Sequence, residues 1–404
     1  KGLSEGAKDV RVPFRWQAAL AKHHRGLSAV AGGASLSSRL VGGLDEQQQW
    51  TGRLEQLQLI QADAGLWQQT AAARLSASAA AVSLQSPLCL QQMTTQACVT
   101  QASWSQKQGT QVSAKLDEVW LSRFQPWLPK TLKLPGKAQA HAQFRQQGST
   151  RQGRLTLSLP ASQLNYATLS GVQSLAYDGI NLTAELNNEQ MSTELNARFR
   201  QGVSLEARSR HTWGAWDNLD VQGQLRVESL SIAQGILPDI TGLAGRLTSH
   251  FSLAGRLNQP QLSAQLALAS VKLTPIVTGV EFRLPQLFLD IKPTGSVSID
   301  GQLLAGEGQA SLKGWGSVAD WSKWNMDLTL QGQNLLIAKT PQADIWLSPN
   351  IQLSAVPEQV DILGQLIVPK ARLRAQSVGS KGVGLSDDVV IVGEENNSAK
   401  MKLV

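Results

Sequence analysis

The chain has 404 residues, of which 42% are apolar, 17% charged and 5% aromatic, and its formal net charge is +7. The apolar content suffices for a large core, and the low charge content excludes a disordered or coiled-coil chain. No run of about 18 apolar residues occurs, which excludes a membrane-spanning helix within these residues.

The basic charge raises the question of nucleic-acid binding. Lysines and arginines are scattered singly, and the densest spots are Lys22–Arg25 and Lys370–Arg374. Neither spot interleaves with aromatic residues that would stack on bases, and no helix-turn-helix or zinc-finger spacing is present. We therefore expect no nucleic-acid partner and interpret these cations as solvated side chains.

The chain opens with Lys1 rather than Met and stops at Val404 within an alternating run. We therefore expect it to be an excerpt of a longer protein. Residues 1–45 are rich in Ala, Ser and Gly and show little periodicity, so individual strands are not assigned within them from the sequence.

The first predicted element is a hairpin that contains both cysteines. The segment Leu88–Val99 alternates like two short strands around a polar turn at Gln91–Gln96, and it places Cys89 opposite Cys98. Two cysteines that face each other across a hairpin satisfy disulfide geometry, and such a bond forms in an oxidising compartment. The alternative is a pair of buried free thiols. The histidines lack ligand spacing with Cys or carboxylates, so we predict no metal site.

Two segments predict single helical turns, Leu116–Leu128 and Val227–Leu237. The residues that follow them match at a constant offset, since 238 − 129 = 109 for the two prolines, and the same offset relates Gly136 to Gly245 and His141 to His250. Such a repeat favours an array of stacked units. We divide the chain into an N-terminal β segment with the disulfide hairpin (1–115) and two repeat units (116–226 and 227–404), the second of which continues beyond the fragment.

Apolar residues alternate with polar ones in many short runs, separated by Gly, Asn or Pro about every ten residues. Strict alternation predicts antiparallel strands with one apolar and one hydrated face. The alternation changes phase at Pro369, which predicts a one-residue bulge, and Pro285 also suits a bulge or an edge. We predict that one apolar face is lined by Leu155, Leu157, Leu182, Leu186, Leu195, Phe199, Leu205, Leu247, Phe251, Leu253, Leu266, Leu268, Leu287, Leu289, Ile299, Leu328, Leu330, Ile351, Leu353, Ile362, Leu366 and Val368.

The number of predicted strands decides the architecture. Sandwiches and barrels usually close within about ten strands, whereas a ladder of about 30 strands extends about 150 Å. We therefore predict an all-β fold: an elongated, curled, antiparallel-rich sheet with an open hydrophobic groove and a few short helices.

Several segments resemble the TamB family, the AsmA-like inner-membrane subunit of the translocation and assembly module. Gly242–Pro260 and Gly301–Gly316 match its G-x-L repeats, and the most specific blocks are Ile345–Leu353, Leu363–Ala371 and Ser386–Glu394. The family has an acidic residue where Asn350 stands here. The resemblance covers nearly the whole chain from about residue 45.

The resemblance implies a β-taco that crosses the periplasm of a Gram-negative bacterium. It implies an inner-membrane anchor through an N-terminal helix and an Omp85-type outer-membrane partner bound through a C-terminal region, both outside this chain. It also implies roles in outer-membrane lipid transport and in assembly of outer-membrane proteins. A periplasmic location agrees with the oxidising compartment predicted from the cysteines.

No sequence motif supports catalysis. Gly306, Gly308 and Gly314 lack the dinucleotide-binding pattern because Ser311 stands where glycine is needed. Asp387 and Asp388 are adjacent, so on a strand they point to opposite faces. We predict that the chain is not an enzyme and has no cofactor.

The open apolar face predicts phospholipid as the ligand. Two acyl tails contain about thirty methylenes, and at about 0.8 kcal/mol each their transfer into water costs about 25 kcal/mol. A continuous apolar floor lowers that barrier while the head group stays in water. The alternative function is a scaffold or chaperone that accepts nascent outer-membrane strands on its exposed edges.

Overall fold

The computed structural model describes residues 14–19, 22–31, 34–61, 65–168, 171–215, 217–318 and 323–374. Their strands form one 26-stranded sheet, accompanied by two short 3-10 helices. Every strand pairing is antiparallel. The structure therefore confirms the predicted all-β fold, a long curled antiparallel sheet with few helices.

The strands and helices follow one another in the chain with short connections. The first part contains β1 (Phe14–Ala19), β2 (Lys22–Ala31), β3 (Ala34–Leu44), β4 (Trp50–Gln61), β5 (Gly65–Gln69), β6 (Ala73–Ala77), β7 (Ala81–Leu84), β8 (Leu88–Gln92), β9 (Thr95–Ser105) and β10 (Gly109–Trp120). The middle part contains the 3-10 helix η1 (Leu121–Trp127), β11 (Leu132–Lys133), β12 (Lys137–Gln147), β13 (Thr150–Thr168), β14 (Gly171–Asn187), β15 (Gln190–Phe199), β16 (Val203–Thr212) and β17 (Asn218–Val227). The last part contains the 3-10 helix η2 (Leu230–Gly235), β18 (Ile240–Arg256), β19 (Gln259–Pro275), β20 (Phe282–Ile291), β21 (Ser296–Ala305), β22 (Gly308–Ser317), β23 (Asn325–Gln333), β24 (Leu335–Lys339), β25 (Ala343–Val356) and β26 (Gln359–Leu373).

The sheet is a meander, because nearly every strand pairs with the strands before and after it. Near the N-terminal end, β5 and β6 lie end to end along β4, and β7 and β8 lie end to end along β9. The amide of Gln69 bridges the gap between β5 and β6: it accepts from Leu57 N at 2.9 Å and donates to Leu54 O at 2.9 Å. A side chain thus satisfies backbone groups of β4 that would otherwise lack a partner.

Register shifts interrupt many strand pairs and bend the strands. Four non-glycine residues adopt a left-handed φ of 53–55° at such irregularities. Gln56, Glu118 and Ser270 lie at register shifts, and Asn334 separates β23 from β24. A bulge increases the local twist and bends its strand, so repeated bulges favour a curled sheet over a flat one.

The sequence predicts a bulge at Pro369 and a bulge or an edge at Pro285, and the structure has a register shift at both prolines. Trp346 pairs with Lys370 while Ser348 pairs with Ile367, so β26 carries one extra residue beside Pro369. The β20–β21 register shifts between Arg283 and Leu287, around Pro285. Proline lacks an N–H to donate, and a bulge is a position that requires none.

The two predicted helical turns are shorter than expected. In the described residues the two segments are 3-10 helical over η1 and η2, and strands β10 and β17 continue into the first part of each segment. In β10, Leu116 and Val119 suggest a helix because they are three residues apart. The bulge at Glu118 instead brings both onto one face of the strand.

The internal repeat is visible in the element boundaries. Strands β10 and β17, helices η1 and η2, and strands β13 and β19 all begin 109 residues apart (218 − 109, 230 − 121 and 259 − 150). Equivalent glutamines also hold the loops after both helices. Gln125 donates to Leu132 O at 2.9 Å, and Gln234 donates to Ile240 O and accepts from Leu243 N at 3.2 Å. The predicted segment boundaries at 115/116 and 226/227 fall inside β10 and β17, and the three-segment division stays a prediction.

Among the described residues, full burial is confined to small clusters. Val119, Tyr177 and Val271 are buried beside register shifts. The main cluster consists of Val280, Ala305, Ala310 and Leu335, with partly buried neighbours such as Phe282 and Ile337 around it. Most other apolar side chains in this part of the chain are half-buried, so the sheet does not bury its apolar face under a complete second layer.

Candidate functional site: an uncovered apolar face

The cross-strand register joins the apolar positions of successive strands into rows. The first row crosses 17 strands, β8–β10, β12–β23, β25 and β26, and contains only apolar residues and glycine. At about 4.8 Å between strands it extends about 75 Å. Its members are Leu90, Ala97, Leu116, Ala140, Leu157, Leu182, Leu195, Ala207, Gly223, Phe251, Ala264, Ile291, Val297, Gly316, Met326, Ala355 and Val360.

A second and a third row run beside the first on the same face, because side chains two residues apart on a strand share a face. The second row is Leu159, Ile180, Ala197, Leu205, Leu225, Ser249, Leu266, Leu289, Ile299, Gly314, Leu328, Leu353 and Ile362. The third row is Tyr177, Phe199, Val203, Val227, Leu247, Leu268, Leu287, Gly301, Leu312, Leu330, Ile351 and Gly364. We call these three rows together the apolar face.

The structure places the predicted lining residues on this face. Seventeen of them belong to the three rows, and Leu155, Leu186, Leu253 and Leu366 flank the rows on the same strands at even spacing. Val368 lies at the β25–β26 register shift and has no directly opposed partner. Whether these side chains contact lipid stays a prediction.

Some members of the apolar face were not among the predicted residues. Leu225 and Leu312 are examples, and glycine hides the alternation around each of them. The inward neighbours of Leu312 include Gly314 and Gly316, and Leu225 follows Gly223. The alternation in the sequence would have identified these residues if glycine had been counted as an apolar residue.

Glycines on the apolar face lie under large neighbours. A Cβ on Gly223 would lie 2.3 Å from Cζ of Phe251, and one on Gly314 would lie 2.5 Å from Cδ2 of Leu328. The Phe251 and Leu328 side chains therefore lie across the adjacent strand instead of standing upright.

Most large side chains of the apolar face are half-buried, and those of β26, the last strand of the described residues, are more exposed. Leu266, Leu289 and Leu328 are half-buried, and Leu186 is buried. On β26, Ile362 is 65% exposed and Leu366 is 58% exposed. Large exposed apolar surfaces in a folded protein mark sites of contact with another apolar molecule.

The opposite face of the sheet is hydrated and carries cross-strand ion pairs. Arg208 pairs with Glu194 at 3.2 Å and Arg200 pairs with Asp178 at 2.9 Å, with all four side chains substantially exposed. Exposed pairs of this kind contribute about 0–1 kcal/mol each. These charged groups favour contact of the opposite face with water, and the apolar face is the candidate binding surface.

The structure confirms the predicted disulfide. Cys89 of β8 is directly opposite Cys98 of β9, and the two are bonded across the hairpin. The alternative of two free thiols is therefore wrong. Cys98 is buried, while the hairpin neighbours Leu90 and Ala97 lie on the other face of the strands, in the first row.

Replacing both cysteines with alanine is expected to loosen this hairpin locally. A disulfide that closes a loop of about ten residues stabilises by about 2–3 kcal/mol, so amide exchange of β8 and β9 should accelerate about a hundredfold. Hydrogen exchange with mass-spectrometric readout checks this, with β25 as the internal reference. Unchanged exchange of β8 and β9 would contradict a stabilising role for the bond.

Within the described ranges, no group of three or more His, Cys, Asp or Glu side chains is arranged to hold a metal ion. None of the helices in that same part of the chain has the length and apolarity needed to span a bilayer. Asp387, Asp388 and the block Ser386–Glu394 lie outside the described residues.

Comparison with known proteins supports the resemblance seen in the sequence. The model of the TamB N-terminal domain matches residues 13–268, and that of the TamB C-terminal domain matches residues 298–403. The translocation and assembly module subunit TamB of Haemophilus influenzae is 23% identical over 221 residues, which cover 54% of this chain and 17% of that relative. No solved structure shows a significant match. Because the two family models together cover most of the sequence, the chain belongs to the TamB family.

Proposed function

We propose that this chain is one stretch of a periplasm-spanning bridge that carries phospholipid between the inner and outer membranes along its apolar face. The observation that supports this is the first row, which crosses 17 strands without a polar side chain. A closed core has no use for apolar side chains left half-exposed over such a length. A ligand whose apolar tails move along the protein needs such a surface.

The energetics favour sliding over release. Phospholipid tails gain about 0.8 kcal/mol for each methylene kept out of water, and this gain is non-directional. Each position along the rows offers a contact similar to the one before it, so an acyl tail loses little binding free energy when it moves by one strand. No single residue has to be unique, and the proposal needs no catalytic group or cofactor.

The family and the disulfide support the proposed location and partners. The Haemophilus influenzae relative is named as a subunit of a translocation and assembly module, and we infer that this chain works in an equivalent module supporting outer-membrane biogenesis. The Cys89–Cys98 bond fits the oxidising periplasm of a Gram-negative bacterium. We further propose an inner-membrane anchor and an Omp85-type partner, both contributed by parts of the protein outside this chain.

Site-specific photocrosslinking tests the proposal in cells. A crosslinking amino acid at Leu266, in the second row, is expected to capture phospholipid, whereas one at Gln265 is not. The two positions are adjacent on β19 and therefore face opposite sides of the sheet. Mass spectrometry of the adducts reads the result. Lipid captured at Gln265 and absent at Leu266 would refute the proposed path.

A scaffold for outer-membrane proteins is the second candidate, and β26 is the observation that favours it. β26 is the last strand of the described residues, it pairs with β25, and all 15 of its residues are exposed. An exposed strand edge accepts an added strand through backbone hydrogen bonds. Crosslinkers at Leu363 and Ile367 that capture a polypeptide, with no lipid captured at Leu266, would favour this function.

A further inference from the structure

Three cations, two on β26 and one directly after it, lie on one face of the sheet. Lys370, Arg372 and Arg374 alternate along the chain, so their side chains share a face with a spacing of about 6.7 Å. Lys370 is directly opposite Trp346 and Arg372 is directly opposite Asp344 on β25. These positions alternate with Ile345 and Leu347, which continue the phase of the apolar face. The cations therefore lie on the hydrated side of the sheet.

Neighbouring side chains hold the three cations in place. The Lys370 ammonium lies 4.7 Å from the centre of the Trp346 ring, and the Arg372 guanidinium lies 5.7 Å from it. Arg374 forms an ion pair with Asp344 and donates from Nη1 to Thr340 O at 3.0 Å. Ordering long side chains in advance lowers the entropy lost when they bind a ligand.

The cluster carries more positive charge than its own contacts neutralise. Lys339 is opposite Asp344 on the other side of β25 and adds a fourth cation. Asp344 is only 6% exposed, so its carboxylate positions Arg374 from beneath, while half of the Arg374 side chain stays exposed. Like charges aligned on one strand face repel each other, and an anion bound between them removes that repulsion.

We propose that Lys370, Arg372 and Arg374 form a binding site for a phosphate group on the hydrated face of β26. The arginine guanidinium groups offer paired N–H donors that match phosphate oxygens, and lysine adds a compact charge. The phosphate belongs either to a phospholipid head group at a membrane surface or to a free anion. The site lies on the opposite side of the sheet from the apolar face, so it stands independently of the proposed lipid path.

Two glutamine variants of the full chain test the site. The triple variant Lys370→Gln, Arg372→Gln, Arg374→Gln removes all three charges. The double variant Lys370→Gln, Arg372→Gln keeps the Arg374–Asp344 pair and with it the local structure. A control variant, Arg198→Gln, Arg208→Gln, Arg210→Gln, removes three exposed charges from the hydrated face of β15 and β16.

Binding is measured in two arms, one with vesicles of equal parts phosphatidylglycerol and phosphatidylcholine, the other by calorimetry with inorganic phosphate. The triple variant is expected to weaken vesicle binding about a hundredfold at low salt and the double variant about tenfold, with the control near wild type. Loss in the vesicle arm alone identifies a head group, and loss in the phosphate arm identifies the phosphate itself. Wild-type binding by the triple variant in both arms, or an equal loss in the control, would overturn the proposal.

Discussion

Leu266→Arg is expected to slow phospholipid transfer about a hundredfold while the sheet stays folded. Leu266 lies in the middle of the second row, between Ser249 and Leu289 on the neighbouring strands. A guanidinium in hydrocarbon surroundings costs about 2.5–3.5 kcal/mol, which acts here as a barrier to each passing tail. Leu266 is half-buried, so in the absence of lipid the new side chain reaches water and the fold is retained.

Transfer of a fluorescent phospholipid from donor to acceptor vesicles measures this effect, and circular dichroism checks the fold. Gln265→Arg is the matched control, since it adds the same charge one residue away on the hydrated face. Leu328→Asp lies on β23, four strands along the second row from Leu266 on β19, and should reproduce the block with the opposite charge. Equal rates for the wild type and both row variants would contradict a path along the apolar face.

Period-two alternation was sufficient to assign the face of most lining residues. On a strand, a residue's face depends only on its parity, so Leu287 and Leu289 are on one side whatever their neighbours. The rows themselves required the register between strands. Short hairpin turns set that register, and the sequence does not show which residue of one strand will lie opposite which residue of the next. The pairing of Leu266 with Leu289 is therefore known from the structure and could not be predicted from the sequence.

Bulges explain why the register shift at Pro369 was predictable and why part of a strand was predicted as a helical turn. Pro369 marks its bulge directly, because proline removes the N–H that a regular ladder would use. No residue type indicates the bulge at Glu118, and its left-handed φ is seen only in the structure. Without it, Leu116 and Val119 have the spacing of a helix. Local spacing alone does not distinguish one helical turn from a bulged strand.

The disulfide was predictable and the Gln69 bridge was not. Cys89 and Cys98 flank a short polar turn, and hairpin geometry places such residues opposite each other. Gln69 resembles many other glutamines in this chain, and nothing in its neighbourhood indicates that its amide replaces ladder hydrogen bonds of β4. Side chains that substitute for backbone partners are found only by accounting for every backbone group.

Gly308→Ala is expected to destabilise the β21–β24 region by about 3 kcal/mol. A Cβ on Gly308 would lie 2.1 Å from the carbonyl oxygen of Asn334 and 2.4 Å from the nitrogen of Leu335, so backbone atoms would have to move. Asn334 already adopts a left-handed φ of 53°, which leaves this turn little freedom to shift. Leu335 is 2% exposed and belongs to the main buried cluster, so displacing it also disturbs Ala305 and Ala310.

Gly179→Ala provides the control for this substitution. Its nearest neighbour would be 3.8 Å from the new Cβ, an ordinary contact, so stability should change by no more than about 0.5 kcal/mol. Hydrogen exchange of β22 and β24 locates the loss, and urea unfolding gives its size. Because the buried clusters are small and the apolar face is largely uncovered, the sheet has few packed contacts with which to absorb a backbone displacement. Equal stability of the two variants would mean that the turn at Asn334 yields easily and that the Leu335 cluster does not anchor this part of the sheet.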